Sequence, residues 1–443
     1  MLAVRAIVWG YPLVRAAELR EKSTQPDRPY APRPPTVATA PINHLGLARA
    51  LADPDTRIGV APNNDTLYAL AFLDTAAGPF QLDTPDFGDR YYVFQFGDAD
   101  SETRQSFGQS SHGRRLPPIF IVGPAYSGSV PAGALLVRSR QRYLMVAGRI
   151  LTDGAADLPR VHGLQDRIRL TKWLAPGHLV EPPITPQRRL PDGPAGDPLR
   201  WLARLGTVLR DWRTEPDDAA LAASLQAIGL ASTAGFREQD LSPKVREEVR
   251  RGVRDGLAAI AAKTRALGAV KNGWSTNYAG SRFGGDYLLR AAVAMDQIYV
   301  LDRKEALYPV AHRDGHGHPL DGRTRYTICF RRQDLPPVNA FWSITLYYAK
   351  GFLVPNARRR YSIGDRTPGL TYGKDGSLRI HVQSDDPGAA GRSNWLPAPA
   401  EKFMLMMRLY RPRPDAMDGQ WHPPAIMPSA VAKGDGAEAC GAP

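Results

Sequence analysis

The densest group of side chains that could do chemistry lies in the segment APNNDTLY, at positions 61 to 68. Two carboxamides, a carboxylate and a phenol offer fixed hydrogen-bond donors and acceptors, which could bind a hydroxyl group or position a water. Asp65 and Tyr68 are therefore candidate catalytic residues. Asn63 and Asn64 are candidate ligand-binding residues. The alternative is structural, because Asn and Asp before a strand commonly bond the local backbone and form a turn.

A second candidate group stands at the entry to the next aromatic strand, where Arg90 precedes Tyr91 and Tyr92. A guanidinium beside two phenols could clamp a ligand carboxylate through two parallel hydrogen bonds. Arg90 is thus a third candidate catalytic residue, and Tyr92 a candidate ligand-binding residue. The alternative is an ion pair within the protein, for instance with Asp65 or Asp89, that holds the sheet together.

The second half of the chain supplies aromatic side chains with a few polar partners. The candidate ligand-binding residues in this half are Trp342, Tyr347, Asn394, Trp395 and Arg408. Aromatic faces with convergent hydrogen-bonding groups suit an apolar or sugar-like ligand. Such residues are also typical of the core of a β-sandwich, so core packing is the alternative.

Candidate metal ligands occur in DGHGHPLDG, where His316 and His318 are two residues apart. On a strand both rings would project to one face. The surrounding Gly and Pro favour a hairpin loop instead, so we predict no metal site. The chain lacks the GxSxG, HExxH, P-loop and GxGxxG patterns of the corresponding enzyme classes. No cofactor is expected, and the patterns leave open whether the chain is an enzyme.

The elements that must position these residues follow from apolar periodicity. We predict a helix over positions 1 to 20, a Pro-rich stretch over 23 to 41, a short helix over 44 to 52, and strands up to about 151. Helical patterns dominate from 157 to 267 and again just after Gly285. Ser242 and Pro243 are suited to the start of the clearest helix. A second block of strands extends from 305 to 411.

Composition bounds the class of protein. The chain has 443 residues, 43% of them hydrophobic and 23% charged, which favours two or more globular domains. The 41 Gly and 40 Pro indicate many turns between strands. A net charge of +13 could indicate nucleic-acid binding, but the Arg residues are scattered rather than clustered with aromatic residues, so we predict no nucleic-acid partner.

The sequence shows neither a targeting signal nor a set of cysteines that would identify the cellular compartment. No apolar run approaches the roughly 18 residues that span a bilayer, and the first twenty residues carry Arg5 and Arg15 and lack a cleavage site. We therefore expect a soluble protein, cytoplasmic by default and periplasmic if an export leader is missing. Cys329 and Cys440 are not expected to form a disulfide framework, since one lies in an apparent strand and the other near the C-terminus.

Long motifs in both halves of the chain carry a resemblance to a known family. In the first half they are GYPL, APNNDTLYALAFLD and GPFQLDTPDFGDRYYVFQF. In the second half they are LDGRTRYTICF, PPVNAFWSITLYY, DGSLRIHVQSDDPG and FMLMMRLYRP. With these motifs the chain resembles a bacterial two-part family made of domain of unknown function 1254 followed by domain of unknown function 1214. The resemblance implies β-sandwich or jelly-roll-like domains and often an export signal. It implies little about activity.

The sequence thus predicts a mainly β protein with helical insertions, built from two β-sandwich or jelly-roll-like domains joined by a helical segment. The predicted divisions are an N-terminal β-sandwich-like domain at 1–170, a mostly helical linker at 171–280, a C-terminal β-sandwich-like domain at 281–425 and a flexible tail at 426–443. The expected function is binding or transforming a small organic molecule in an aromatic cleft. The alternatives are a cell-envelope interaction or carbohydrate-binding module without catalysis, and a metal-dependent enzyme. A homo-oligomer is left open.

Overall fold

The structure is a computed structural model, and it describes residues 2–24, 34–57, 61–193, 196–231, 234–429 and 440. Parts of two predicted segments, the Pro-rich stretch at 23–41 and the tail at 426–443, lie outside these residues. The chain divides into two compact units. The first comprises Met1–Ala50, Thr66–Thr264 and Ser281–Val300, and the second comprises Leu51–Asp65, Arg265–Gly280 and Leu301–Pro443.

Helices account for 27% of the structure and strands for 28%, in several sheets with no closed barrel among the described residues. The predicted combination of sheets with helices is therefore present, with the two in nearly equal shares. The first unit contains seven helices in its described part: α1 Leu2–Thr24, α2 Gln109–His112, α3 Leu158–Gln165, α4 Leu199–Leu209, α5 Ala219–Ser224, α6 Pro243–Lys263 and α7 Tyr287–Asp296. The second unit contains α8 Pro414–Met417.

Two five-stranded sheets and one short pair of strands form the β part of the first unit. Their strands are β1 Gly46–Leu47, β2 Thr66–Asp74, β3 Phe80–Asp83, β4 Tyr92–Asp98, β5 Thr103–Gly108, β6 Ile119–Val122, β7 Leu135–Arg138, β8 Tyr143–Leu151, β9 Arg169–Ala175, β10 His178–Val180, β11 Leu230–Ala231 and β12 Gly235–Phe236. One sheet has the order β1-β2-β8-β4-β5 and the other β10-β9-β3-β6-β7. Every residue of β4 is buried, as the aromatic residues on both of its faces predict.

The helices of the first unit pack together around their own apolar core. Helix α6 begins as its sequence predicts, with the Ser242 hydroxyl accepting a hydrogen bond from the backbone N–H of Val245. Helices α1, α4, α6 and α7 share a cluster of buried Leu, Ile, Val and Ala side chains. Gly10 lets α1 approach α4 closely, because a Cβ atom there would lie 2.5 Å from a methyl carbon of Leu205.

The second unit contains a seven-stranded and a four-stranded sheet. Their strands are β13 Ala269–Lys271, β14 Trp274–Thr276, β15 Ala306–Leu307, β16 Val310–Ala311, β17 Tyr326–Phe330, β18 Val338–Tyr348, β19 Ser362–Gly364, β20 Leu378–Gln383, β21 Trp395–Pro397, β22 Phe403–Pro412 and β23 Ile426–Pro428. The larger sheet has the order β13-β14-β16-β22-β18-β19, with β15 also paired to β22, and the smaller has the order β21-β20-β17-β23. Residues from both sheets contribute to one apolar core.

Two local predictions are wrong. The predicted helix over positions 44 to 52 is irregular, and it contains only β1, whose Gly46 and Leu47 pair with Leu70 and Ala69. Pairing to a long neighbouring strand has overridden a weak helical propensity. Cys329 and Cys440 form a disulfide across a sequence separation of 111 residues. Strand β23 pairs antiparallel with β17, the strand that carries Cys329.

Candidate functional site

Strand β18 carries different chemistry on its two faces. Because side chains alternate along a strand, Trp342, Ile344 and Leu346 share one face, and they are buried in the apolar core of the second unit. The opposite face carries four other buried side chains, Phe341, Ser343, Thr345 and Tyr347. Only one face of β18 therefore belongs to this apolar core.

The neighbouring strand β22 adds a buried cation to this second face. Arg408 lies directly opposite Ser343 in the antiparallel register, and it is 3% exposed. Its guanidinium donates hydrogen bonds to Thr345 Oγ1 at 2.9 Å, to Tyr347 Oη at 2.9 Å and to the carbonyl oxygen of Ala61 at 2.8 Å. These acceptors offset the cost of removing the charge from water.

The segment from 61 to 65 covers this face through contacts within the second unit. The Tyr347 hydroxyl donates to the Pro62 carbonyl at 2.8 Å, and the Asn63 amide donates to the Tyr410 hydroxyl. Asn63 also accepts a hydrogen bond from the backbone N–H of Asp65 at 2.6 Å, which is the turn-forming role that the structural alternative predicts. Ala61 has a φ of 45°, a left-handed conformation that is uncommon for a residue other than glycine.

Asp65 brings a carboxyl group to the edge of this polar face. Its Oδ2 accepts a hydrogen bond from the Ser343 hydroxyl at 2.7 Å, whereas Oδ1 accepts none from any residue that the structure describes. The residue is only partly exposed. Loss of hydration raises the pKa of Asp65, although Arg408, Ser343 and Arg366 act in the opposite direction.

A second carboxyl group stands beside the first. Asp365 lies at the exposed rim, and its Oδ1 accepts a hydrogen bond from the backbone N–H of Trp342 at 3.1 Å. Its surroundings nevertheless raise the pKa of Asp365 to about 6, through loss of hydration first and the charge of Asp65 next. Carboxyl groups whose pKa values are raised keep their protons at a higher pH than ordinary carboxyl groups do.

We refer to this group of residues as the Asp65 cluster. Its members are Asn63, Asp65, Phe341, Ser343, Thr345, Tyr347, Asp365, Arg366, Arg408 and Tyr410. Phe341 and Tyr410 stack with ring centroids 4.2 Å apart, and the Arg366 guanidinium lies 5.5 Å from the Phe341 ring. The cluster therefore joins ionisable groups to aromatic surface.

Four of the sequence-predicted site residues belong to this cluster: Asn63, Asp65, Tyr347 and Arg408. Asn64 donates instead to the carbonyl of Ala52 at 2.5 Å. The side chain of Trp342 lies on the apolar face of β18, packed against Phe330 with ring centroids 5.5 Å apart. The core-packing alternative therefore describes Trp342.

The remaining candidates of the second half make hydrogen bonds that involve backbone groups of the second unit. Asn394 donates to the carbonyls of Thr371 and Arg379 at 2.7 and 2.9 Å, and Trp395 donates to the carbonyl of Gln383 at 2.9 Å. His316 and His318 lie in a loop between strands, where both of their backbone N–H groups donate to Asp314. In the described part of the chain, no group of three or more His, Cys, Asp or Glu residues could hold a metal ion.

The other candidates belong to the first unit. Arg90 binds both carboxylate oxygens of Asp157, with Nη2 to Oδ1 at 2.8 Å, and it also donates to the carbonyl of Leu151 at 2.7 Å. This is the protein ion pair that the alternative interpretation describes, with Asp157 as the partner in place of Asp65 or Asp89. Tyr68 accepts a hydrogen bond from Arg149 at 3.1 Å.

Tyr92 packs its ring against Phe87, with centroids 4.0 Å apart. The buried Tyr92 hydroxyl has no hydrogen-bond partner among the described residues. Because desolvation disfavours the phenolate, burial raises the pKa of Tyr92 to about 12.

The site residues predicted from the sequence do not include six members of the cluster, namely Phe341, Ser343, Thr345, Asp365, Arg366 and Tyr410. A signal for two of them is visible, because FWSITLYY alternates apolar Trp, Ile and Leu with Ser, Thr and Tyr. Arg408 interrupts the apolar run FMLMMRLY, and a charge in a buried strand requires partners. No local pattern indicates that these partners include the segment from 61 to 65.

The fold and the cluster define a two-unit protein with mixed helices and sheets and a buried polar cluster on one strand pair. Residues 42–172 match the family described as "Protein of unknown function (DUF1254)", and residues 305–414 match "Protein of unknown function (DUF1214)". The chain belongs to the two-part family in which the first domain precedes the second, which confirms the resemblance seen in its motifs.

Among solved structures, the chain is similar to the VPA0106 protein from Vibrio parahaemolyticus. The two share 24% identity over 97% of this chain and 99% of that chain, with a TM-score of 0.67, which shows a common fold. An uncharacterised protein from Burkholderia cenocepacia has 13% identity and a TM-score of 0.44, covering 92% of this chain and 85% of its own. No curated protein matches the chain. In its described part, no helix is long and apolar enough to cross a membrane.

Proposed function

We propose that the Asp65 cluster binds a small organic molecule with a hydroxyl or carbonyl group, and that the Asp65 carboxyl exchanges a proton with it. The observation that carries the proposal is the partly exposed Asp65 carboxyl, whose Oδ1 accepts no hydrogen bond from a described residue. A carboxyl group held in place by Ser343 beside the buried Arg408 is preorganised, because its supports are themselves fixed by hydrogen bonds.

The electrostatics support proton transfer as well as binding. The raised pKa values of Asp65 and Asp365 keep part of the pair protonated closer to neutral pH than ordinary carboxyl groups. A protonated carboxyl donates a hydrogen bond to a carbonyl, and an ionised one accepts a bond from a hydroxyl. The stacked rings of Phe341 and Tyr410 provide aromatic surface in the same cluster, in keeping with the small organic ligand that the sequence predicts.

The β-sandwich architecture of the two units is also part of this proposal. In the second unit, the apolar core includes Ile328 and Ile380 from the smaller sheet and Ile344 and Leu405 from the larger one. Inner faces that contribute side chains to one core are typical of two sheets packed face to face. Such packing would leave the opposite face of β18 for the Asp65 cluster.

The experiment compares Asp65→Asn with the wild type against cyclohexanol, cyclohexanone and glucose, by saturation-transfer NMR. The variant keeps the shape of the side chain but replaces the ionisable carboxyl group by a carboxamide. We expect the dissociation constant of the probe that binds to rise at least tenfold, since hydrogen bonds to charged groups contribute about 1.5–3 kcal/mol. Asp375→Asn is the matched control, because Asp375 is an exposed carboxylate of the same unit that bonds Ser377.

Unchanged binding by Asp65→Asn would return Asp65 to a structural role. Binding of glucose alone, with an affinity that does not depend on pH, would favour the carbohydrate-binding alternative and contradict proton exchange.

A further inference from the structure

The first unit contains a cleft that none of the predicted site residues enters. It lies between α1, the end of α4 and the sheet face formed by β2 and β8, and it is partly open to solvent. Its polar lining includes Arg20, Tyr143, Arg188, Asp211, Trp212 and Tyr299. The cavity volume of about 20 Å³ admits one oxygen-sized group, since a single water needs roughly 10–15 Å³ on this measure.

Arg20 places a buried positive charge at this cleft. It is 8% exposed, and its guanidinium carbon lies 3.6 Å from the centroid of the Tyr143 ring. Its Nε donates to Gln187 Oε1 at 3.0 Å, and the Gln187 amide in turn donates to Thr24 Oγ1 at 3.0 Å. The two Nη atoms donate to none of the residues that the structure describes. The guanidinium is thus held at Nε, and its two Nη atoms can donate hydrogen bonds to a ligand.

The carboxylates near Arg20 are engaged with other cations. Asp74 and Asp211 each accept a hydrogen bond from Arg142 at 2.8 Å, and Asp211 also lies 3.4 Å from Arg188. This group therefore contains three guanidinium groups and two carboxylates. The positive charge of Arg20 is the one that no carboxylate of the group balances. A buried charge without a paired partner is costly, so the cleft favours an anion.

Two further donors at the cleft have no acceptor. The Tyr143 hydroxyl and the Trp212 indole N–H are both buried and have no hydrogen-bond partner among the described residues, and Tyr143 is only 5% exposed. Buried polar groups are nearly always hydrogen-bonded, so two unsatisfied donors in one cleft indicate a missing acceptor.

The backbone beside the cleft is strained, which is typical of functional sites. Ile298 and Tyr299 have φ values of 34° and 50°, and a positive φ is a genuine outlier for a β-branched residue such as Ile298. Tyr299 is fixed in this conformation, because its hydroxyl donates to the Asp98 carbonyl at 3.0 Å and its own carbonyl accepts from Gln95 at 2.7 Å. The strained turn presents the Tyr299 side chain to the cleft.

We infer that this cleft binds the carboxylate of a small organic acid. One carboxylate oxygen accepts hydrogen bonds from Tyr143 and Trp212, and the guanidinium of Arg20 balances its charge. The cavity admits one oxygen of that carboxylate, and the apolar side chains of Leu13, Phe72 and Met145 line the same cleft. This inference is independent of the proposed function, since all of these residues belong to the first unit and the Asp65 cluster belongs to the second.

The test is a titration of the full chain with sodium butyrate, followed by tryptophan fluorescence and thermal unfolding. Tyr143→Phe removes only a hydroxyl that makes no hydrogen bond, so its folding stability should equal that of the wild type or exceed it. Its dissociation constant for butyrate should rise about tenfold, the loss of one hydrogen bond to a charged group. Tyr92→Phe is the matched control, because it removes another unpartnered buried hydroxyl outside this cleft, and it should bind butyrate as the wild type does.

Several outcomes would overturn the inference. They are an absence of butyrate binding by the wild type, an unchanged affinity in Tyr143→Phe, and an equal loss in Tyr92→Phe. Chloride or sulfate binding as tightly as butyrate would assign the cleft to inorganic anions instead. Asp65→Asn should leave butyrate binding unchanged, which separates a failure of this inference from a failure of the proposed function.

Discussion

Ser343 donates a hydrogen bond of 2.7 Å to Oδ2 of Asp65, although the two residues are 278 positions apart in the chain. The contact joins a residue of strand β18 to the polar segment that precedes β2. It also makes the ionisation of Asp65 depend on a hydroxyl group of the motif FWSITLYY.

Replacing Ser343 by Ala should raise the pKa of Asp65 further, because the hydroxyl bonds to the charged form of the carboxyl. The free energy of unfolding at pH 7 should fall by about 1 kcal/mol. A carbon-13 NMR titration of the aspartate carboxyls measures the pKa, and urea unfolding measures the stability. Ser377→Ala is the control, since Ser377 donates a similar 2.7 Å bond to Asp375 outside the cluster. An unchanged Asp65 titration in Ser343→Ala would contradict the prediction.

Replacing Arg90 by Ala should destabilise the first unit by about 2–3 kcal/mol, because it leaves the Asp157 carboxylate largely buried without its partner. Each of the two side chains is 11% exposed. A double-mutant cycle with Asp157→Ala, measured by urea unfolding, should give a coupling energy of at least about 1 kcal/mol. Additive losses would mean that the two residues act independently, and would reopen a ligand-binding role for Arg90.

The carboxyl group of Asp296 should make the folded protein less stable as the pH rises. It lies at the C-terminal end of α7, where a negative charge is unfavourable, and its Oδ2 is buried without a partner among the described residues. Burial raises the pKa of Asp296 to about 6, above its value in the unfolded chain. The folded state therefore holds the proton more tightly than the unfolded chain does. Burial of the Asp296 carboxyl does not lower the free energy of unfolding below pH 4, and it lowers it by the full amount above pH 6.

The matching experiment is thermal or urea unfolding of Asp296→Asn at pH 4 and at pH 7.5. We expect the variant to be about 1–3 kcal/mol more stable than the wild type at pH 7.5, and equal to it at pH 4. Asp255→Asn on the exposed part of α6 controls for the change in net charge. An equal effect of Asp296→Asn at both pH values would show that burial does not raise the pKa of Asp296.

The disulfide between Cys329 and Cys440 should stabilise the second unit. A cross-link across 111 residues restricts the unfolded chain, and native disulfides typically contribute about 2–4 kcal/mol. Cys440→Ser should lower the unfolding midpoint by an amount that a reducing agent reproduces in the wild type. Mass spectrometry with a thiol label checks that both sulfurs are blocked before reduction. Equal midpoints for the wild type and Cys440→Ser under oxidising conditions would contradict the prediction.

Much of the secondary structure is predictable from local sequence. The strands of TLYALAFLD, RYYVFQFGD and SLRIHVQS form where their composition indicates, at Thr66–Asp74, Tyr92–Asp98 and Leu378–Gln383. The helix after Ser242 begins at its predicted cap. Local preferences suffice in these cases because tertiary packing agrees with them. At 44 to 52 packing disagrees with the local preference, and the predicted helix does not form.

The candidate site was less predictable, and the polar motif NNDTLY shows why. Its residue types indicate either a turn or a binding group, and Asn63 proves to be both a turn former and a partner of Tyr410. The sequence predicts Asp65 and Arg408 as separate candidates, and nothing in either segment indicates that both belong to one cluster with Ser343.

The sequence by itself determined which segments form strands and helices, and which positions of β18 share a face, because these depend on backbone geometry over a few residues. Tertiary structure alone decided that Asp65 meets Ser343, that Arg408 donates to Ala61, and that Cys440 reaches Cys329. Contacts between distant segments depend on how sheets pair and on which buried polar groups need partners. No short stretch of sequence contains that information.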